Sequence, residues 1–179
     1  MTTRLRLASA LSTFVLMAAF VVARPEPPAT AKDPLEPLAW CVGKWTADVK
    51  GADGTPLHIE TTFDWAGHRK AIKFAVAFTA GGKTNVQYDG IYYWHPGKQK
   101  IAMLQVDKAG NVTESTAVAE RDTVRQENAV ALIGGAKGEQ RVEITRKGDD
   151  AFEFRAKILK DKEWVEVVGF TYKRLPAAK

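Results

Sequence analysis

From Lys44 to Arg174 the chain alternates apolar and polar residues in short runs. In AIKFAVAF, Ile72, Phe74, Val76 and Phe78 fall on one side and Lys73, Ala75 and Ala77 on the other. LHIETTFDW sets Ile59, Thr61, Phe63 and Trp65 against His58, Glu60, Thr62 and Asp64. AFEFRAKI sets Phe152, Phe154, Ala156 and Ile158 against Glu153, Arg155 and Lys157, and NVQYDGIYYWH places Val86, Tyr88, Gly90, Tyr92 and Trp94 on one face. Successive side chains of a strand point to opposite faces, so this period of two predicts strands with one buried face. Turn signals close the runs: GADGTP, AGHR, AGGK, HPGK, KAGN, GGAKG, KGDD and KDKE. Strands are predicted over 44–50, 57–65, 70–79, 84–94, 99–107, 112–121, 123–133, 139–147, 151–160 and 164–174. The sixth-to-seventh connection, around Asp122, lacks a turn signal, which points to a bend or bulge.

Hairpin-length links between so many short strands favour an antiparallel meander, and closing the sheet removes its exposed edges. The expected fold is therefore all-β: an up-and-down antiparallel β-barrel of about nine or ten strands. The one helical signal is DPLEPLAWCVG before the first strand, where Asp33 is suited to cap and Pro34 to the first turn.

The first 23 residues differ in kind. MTTRLR carries two arginines and no acid, and LASALSTFVLMAAFVVA runs from Leu7 to Ala23 without a charge. That is the layout of a secretory signal peptide over residues 1–23, which predicts an exported protein, periplasmic or secreted. An uncleaved membrane anchor is the alternative, weakened by Ser9, Ser12 and Thr13. No later segment is apolar enough to form a membrane span after signal removal. RPEPPATAKDPLEP, residues 24–37, is proline-rich and reads as an extended linker, leaving 38–175 for the barrel.

The 179 residues fit one domain of ordinary globular composition, 45% hydrophobic and 26% charged. Without residues 1–23 the chain keeps 24 basic against 21 acidic residues, with signs interspersed. Nucleic acid binding needs a clustered basic patch, and none is visible. Cys41 is the single cysteine, so no internal disulfide forms. It reads as a small buried apolar residue, with a reactive thiol as the lesser alternative. It also follows Trp40, where a lipid-attachment signal has a small residue.

VGKWTADV then gains a context. A helical turn leads through Gly43 into the first strand, and Trp45 is the first large inward residue. This resembles the G-x-W signature of lipocalins and the wider calycin group. The resemblance implies that the tryptophan plugs the closed end of the barrel and that a basic residue late in the last strand packs across it. In WVEVVGFTYKR, simple alternation puts Trp164, Glu166, Val168, Phe170, Tyr172 and Arg174 on one face. Arg174 is the better partner for Trp45, ahead of Lys173, and a guanidinium on an indole contributes about 0.5–2 kcal/mol. LAWCVGKW, WAGHRKAI, GIYYWHPGKQKI and FTYKR together resemble exported bacterial lipocalin-like domains of unknown function. The resemblance covers most of residues 38–174 and concerns fold, which does not fix function.

Candidate chemistry is sparse. His58, His68 and His95 have no metal-ligand spacing, and none is placed on an inward strand position; surface histidines are the simpler reading, with haem as the lesser one. There is no G-x-S-x-G, no phosphate loop and no paired carboxylate outside the Asp149–Asp150 turn. No catalytic residue, metal or cofactor is assigned. The aromatics are more suggestive. Phe63, Trp65, Phe74, Tyr88, Tyr92, Trp94, Phe154 and Tyr172 share inward faces. Either they fill the barrel, or they surround an apolar cavity with a few polar groups such as Tyr88, Tyr92 and Gln105. In TVRQENAV, either Arg125 with Glu127 or Gln126 with Asn128 could line a cavity, although a solvated strand is the simpler reading.

The first functional expectation is a carrier or binder of a small apolar ligand, with Phe63, Phe74, Tyr88, Tyr92, Gln105 and Phe154 as cavity residues and Trp45 and Arg174 as the barrel plug. An enzyme using the cavity, an isomerase or hydrolase, is the second. A packed barrel serving as an envelope interaction module is the third. Oligomeric state and ligand identity are not encoded in any motif.

Overall fold

In the computed structural model, residues 33–51 and 53–176 are described. The signal peptide expected at 1–23, and residues 24–32 of the expected linker, lie outside them. A short 3₁₀ turn, η1 (Glu36–Cys41), precedes ten strands. These are β1 (Gly43–Lys50), β2 (Pro56–Ala66), β3 (Ala71–Ala80), β4 (Lys83–His95), β5 (Lys100–Asp107), β6 (Val112–Glu120), β7 (Thr123–Ala131), β8 (Lys137–Arg146), β9 (Ala151–Lys160) and β10 (Glu163–Arg174). Each strand pairs antiparallel with its sequence neighbours, and β1 meets β10 to close the barrel. The fold is the all-β, up-and-down barrel that the alternation predicts.

The β6–β7 connection is neither a bend nor a bulge but a tight two-residue turn, Arg121–Asp122. Arg121 takes φ 50°, and the Asp122 carbonyl accepts the Arg146 amide at 2.7 Å. Two bulges correct the predicted faces. In β4, Tyr88 pairs with Val76 but Val86 pairs with Ala77, so Gln87 is the extra residue and Val86 turns outward, half-exposed. In β10, Val168 pairs with Ala156 and Glu166 with Lys157, which makes Val167 the extra residue. A single inserted residue reverses a strand's phase. Glu166 therefore lies outside, paired with Arg155, and Trp164 stacks beneath the outer Arg141 guanidinium.

One end of the barrel is closed by η1. Asp33 accepts the Leu35 amide at 3.0 Å, and its own carbonyl accepts the Glu36 amide. Leu35, within the proline-rich stretch, is 1% exposed and packs with Leu38 and Cys41 into the core. Among the described residues no helix is long and apolar enough to cross a membrane.

Candidate functional site

The closed end is organised around Trp45, which is 0% exposed. Its indole Nε1 donates to the Cys41 carbonyl at 2.7 Å, and its ring meets Phe152 edge-on at 4.7 Å. Arg174 is its cross-strand partner, with the guanidinium carbon 4.0 Å from the ring centroid. The fork does more than stack. Nη2 donates to Trp40 O at 2.8 Å, Nη1 to Val42 O at 2.9 Å and Nε to Asp149 O at 2.9 Å. Carbonyls at the end of a helical turn have no partner within it, and a rigid planar cation can satisfy several at once. Gly43 is what makes room. At φ +130° it occupies backbone space that other residues rarely adopt, and a Cβ there would sit 2.6 Å from Arg174 Nη1. The glycine and the tryptophan of G-x-W thus serve the same latch. Burial raises the Cys41 thiol's pKa strongly and keeps it protonated, which fits an inert core residue.

Above this plug the barrel holds a cavity of about 920 Å³. A void of about 10 Å³ separates the two, and Tyr92 and Phe63 border both spaces. The six residues expected to line a cavity, Phe63, Phe74, Tyr88, Tyr92, Gln105 and Phe154, all reach this one. Trp65 and Trp94 do not; they pack against the core cluster without reaching the cavity.

The cavity has two chemically different walls. One is aromatic. Phe63 and Phe74 lie 5.8 Å apart, Phe74 and Tyr92 5.3 Å, and Phe78 meets Tyr88 edge-on at 6.0 Å. On β9 and β10, Phe154, Phe170 and Tyr172 continue the ladder at 5.5 and 5.0 Å. Gly90 allows this packing: Phe74 lies across it, and a Cβ there would fall 2.2 Å from the ring.

The opposite wall, from β5 to β8, sets uncharged polar groups among apolar Met103, Val130, Val142 and Ile144. It carries Gln105, Thr113, Gln126, Asn128 and Gln140. Gln126 and Asn128 are 4% and 6% exposed, so β7 is not the solvated strand that its composition suggests. Arg125 and Glu127 take the outer face, paired with Glu143 and Arg141. Val124 and Val130 share the inner phase with the two amides and are the one sequence signal that could have fixed it. Nothing in the sequence marks Thr113 and Gln140 as cavity residues, because a polar residue facing inward looks like one facing water.

One hydrogen bond ties the two walls together, and two more brace them, one within each. Gln126 Nε2 donates to the Tyr92 hydroxyl at 2.5 Å, and Asn128 Nδ2 donates to Gln140 Oε1 at 2.8 Å. Thr61 donates to the Tyr172 hydroxyl at 3.0 Å. Burial pushes the Tyr172 phenol up to about 12, and it raises Tyr92 and, less fully, Tyr88. These phenols stay neutral and can donate. Charge appears only at the open rim, as Asp48, Lys50 and Asp107. None of the three histidines lines the cavity, and among the described residues no group of His, Cys, Asp or Glu is placed to hold a metal ion.

No family model and no curated protein matches the chain. Among solved structures it is similar to that of EF1p2_mFAP2b bound to DFHBI, at 14% identity over 79% of this chain and 99% of that one, with a TM-score of 0.40.

Proposed function

We propose that the barrel binds and carries a small, uncharged molecule with an unsaturated or apolar body and one hydrogen-bonding edge. The observation that carries this reading is the two-walled cavity: aromatic rings on β2–β4 and β9–β10 face amides and hydroxyls on β5–β8, with charge confined to the rim. A buried carboxylate or ammonium in the ligand would meet no counter-charge inside, and an unpaired buried charge is strongly disfavoured. Amides can both donate and accept, so a carbonyl, hydroxyl or N–H edge is accommodated. A barrel filled by its own side chains, the basis of the interaction-module expectation, does not fit a cavity of about 920 Å³.

The magnitude is adequate. At about 25 cal/mol per Å², burying 300–400 Å² of apolar ligand surface contributes roughly 8–10 kcal/mol before the cost of immobilisation. Micromolar affinity requires about 8 kcal/mol net. The test is a fluorescence titration with a neutral planar dye bearing a carbonyl or hydroxyl, beside an anionic fatty-acid probe. The neutral dye should saturate with micromolar affinity and the anionic one should bind at least tenfold more weakly. Gln126→Leu should weaken the neutral dye by roughly tenfold, the loss of one buried hydrogen bond. No saturable binding of the neutral dye, or tighter binding of the anionic probe, would refute the reading. Export to the periplasm or medium, supported by the RLR and apolar-run layout of residues 1–23, is the setting we propose for this carrier.

A further inference from the structure

The seam between β1 and β10 is where the wall is least continuously bonded. β1 pairs with β2 along its whole length, from Gly43 opposite Phe63 to Lys50 opposite Pro56. Against β10 it pairs only twice, Trp45 with Arg174 and Thr46 with Lys173. Continued, that register would set Asp48 opposite Thr171 and Val49 opposite Phe170, yet those pairs do not form. Two further observations say what lies there. Elsewhere in the wall every second residue faces the cavity, as with Ile59, Thr61 and Phe63 on β2. At the seam consecutive residues border it: Asp48, Val49 and Lys50 on β1, and Val168, Gly169 and Phe170 on β10. A cavity bordered by consecutive residues is bordered by a strand's edge and not by its face. In addition, β10 is exposed on both faces from Gly169, opposite the end of β1, on through Val165, with Val165, Val167 and Val168 at 43%, 47% and 39% exposure. A strand in a closed wall shields one face.

We infer that the cavity opens sideways through a slit between β1 and β10, and that this slit is the route by which the ligand exchanges. The slit begins just above the Arg174 latch, which pins the two strands together at their closed ends. The bulge at Val167 lies beyond the end of β1, where β10 runs on paired to β9 alone. The slit's inner border is Val49 of β1 with Gly169 and Phe170 of β10, while Asp48 and Lys50 put charge on the outer β1 edge. The unpaired backbone groups along both edges stay accessible to water when the slit is empty of ligand, so they carry no desolvation cost.

The geometry and the traffic are tested separately, because the traffic rests on the binding reading above and the geometry does not. Hydrogen exchange on the unliganded protein reads the geometry. Amides of Asp48–Lys50 and Gly169–Thr171 that point at the seam should exchange at least about 100-fold faster than those of Phe74–Val76 in the middle of β3. Equal protection means a closed seam and overturns the inference. For the traffic, Asp48→Cys with Thr171→Cys places two outward thiols across the slit, and buried Cys41 does not compete for oxidation. Bridging should slow both association and dissociation of the neutral dye at least about tenfold, with reduction restoring both rates. If no bridge forms, Thr171→Cys carrying a bulky maleimide obstructs the same opening and should slow both rates likewise. Equal rates with the slit free and obstructed overturn the inference while leaving the binding reading intact. If the parent protein binds no dye, the binding reading fails and exchange protection alone decides the slit.

Discussion

Arg174 holds the closed end together through its shape as much as its charge, and replacing it with lysine separates the two. Three nitrogens of one guanidinium reach three different carbonyls, Trp40 O, Val42 O and Asp149 O, while the carbon stays over Trp45. Hydrogen bonds to charged groups contribute about 1.5–3 kcal/mol each in favourable cases, but this side chain is partly exposed and water can replace part of the loss. About 1 kcal/mol per carbonyl, with about 0.5–2 kcal/mol for the ring, gives roughly 3–5 kcal/mol for Arg174→Met. Arg174→Lys keeps the charge and can retain one carbonyl, so about 2–3 kcal/mol should still be lost. At roughly 3 °C per kcal/mol for a body of this size, thermal unfolding should fall about 9–15 °C for methionine and about 6–9 °C for lysine. Denaturant titration supplies the free energies directly. Trp45→Phe combined with Arg174→Met should cost less than the sum of the single changes, by about 1 kcal/mol, since the two residues touch. If Arg174→Lys melts within about 2 °C of the parent, the carbonyl bonds contribute nothing and the latch is misread.

Gly90→Ala should destabilise the barrel by about 1–3 kcal/mol through overpacking against Phe74, and by moving that ring into the cavity it should weaken dye binding; unchanged melting and affinity would show that the ring yields freely. His58 is hydrogen-bonded to Asp48 at 2.7 Å and lies near Glu60, which raises its pKa above the ordinary value. A raised folded-state pKa favours folding fully below the unfolded value and loses that contribution as pH rises through the folded one. Asp48→Asn should therefore lower stability at pH 5 more than at pH 9, and an NMR titration of His58 should shift toward the ordinary midpoint; an unmoved midpoint sinks the pairing. Amino-terminal sequencing of protein from a native host should find a start near Arg24, and a full-length cytoplasmic product would refute export.

The strands were legible because each is bounded by turn residues and keeps a strict alternation; most predicted boundaries fall within two residues of the observed ones. Trp45 and Arg174 were legible because a G-x-W and a terminal arginine carry a specific resemblance. What escaped has a common physical cause. A bulge shifts the phase of a strand without requiring any residue type, so Glu166 and Trp164 were assigned to the wrong face. Gln126 and Asn128 were read as solvated because a polar side chain facing a cavity and one facing water look the same in sequence. The slit escaped for a related reason: strand separation is a property of registers between distant segments, not of any local pattern.

The seam also orders events during folding. Nine of the ten strand pairings join neighbours in sequence and can form hairpin by hairpin. The tenth joins Trp45 to Arg174 across roughly 130 residues. Closing a loop of that length costs about 4 kcal/mol in chain entropy, as (3/2)RT ln n, beyond a constant term. In the open chain two backbone pairs offset little of that; once the meander has formed, the ends are already near, and the guanidinium with its three carbonyls fastens them. The meander therefore zips up first and the barrel shuts last, and substitutions at Arg174 should speed unfolding far more than they slow folding.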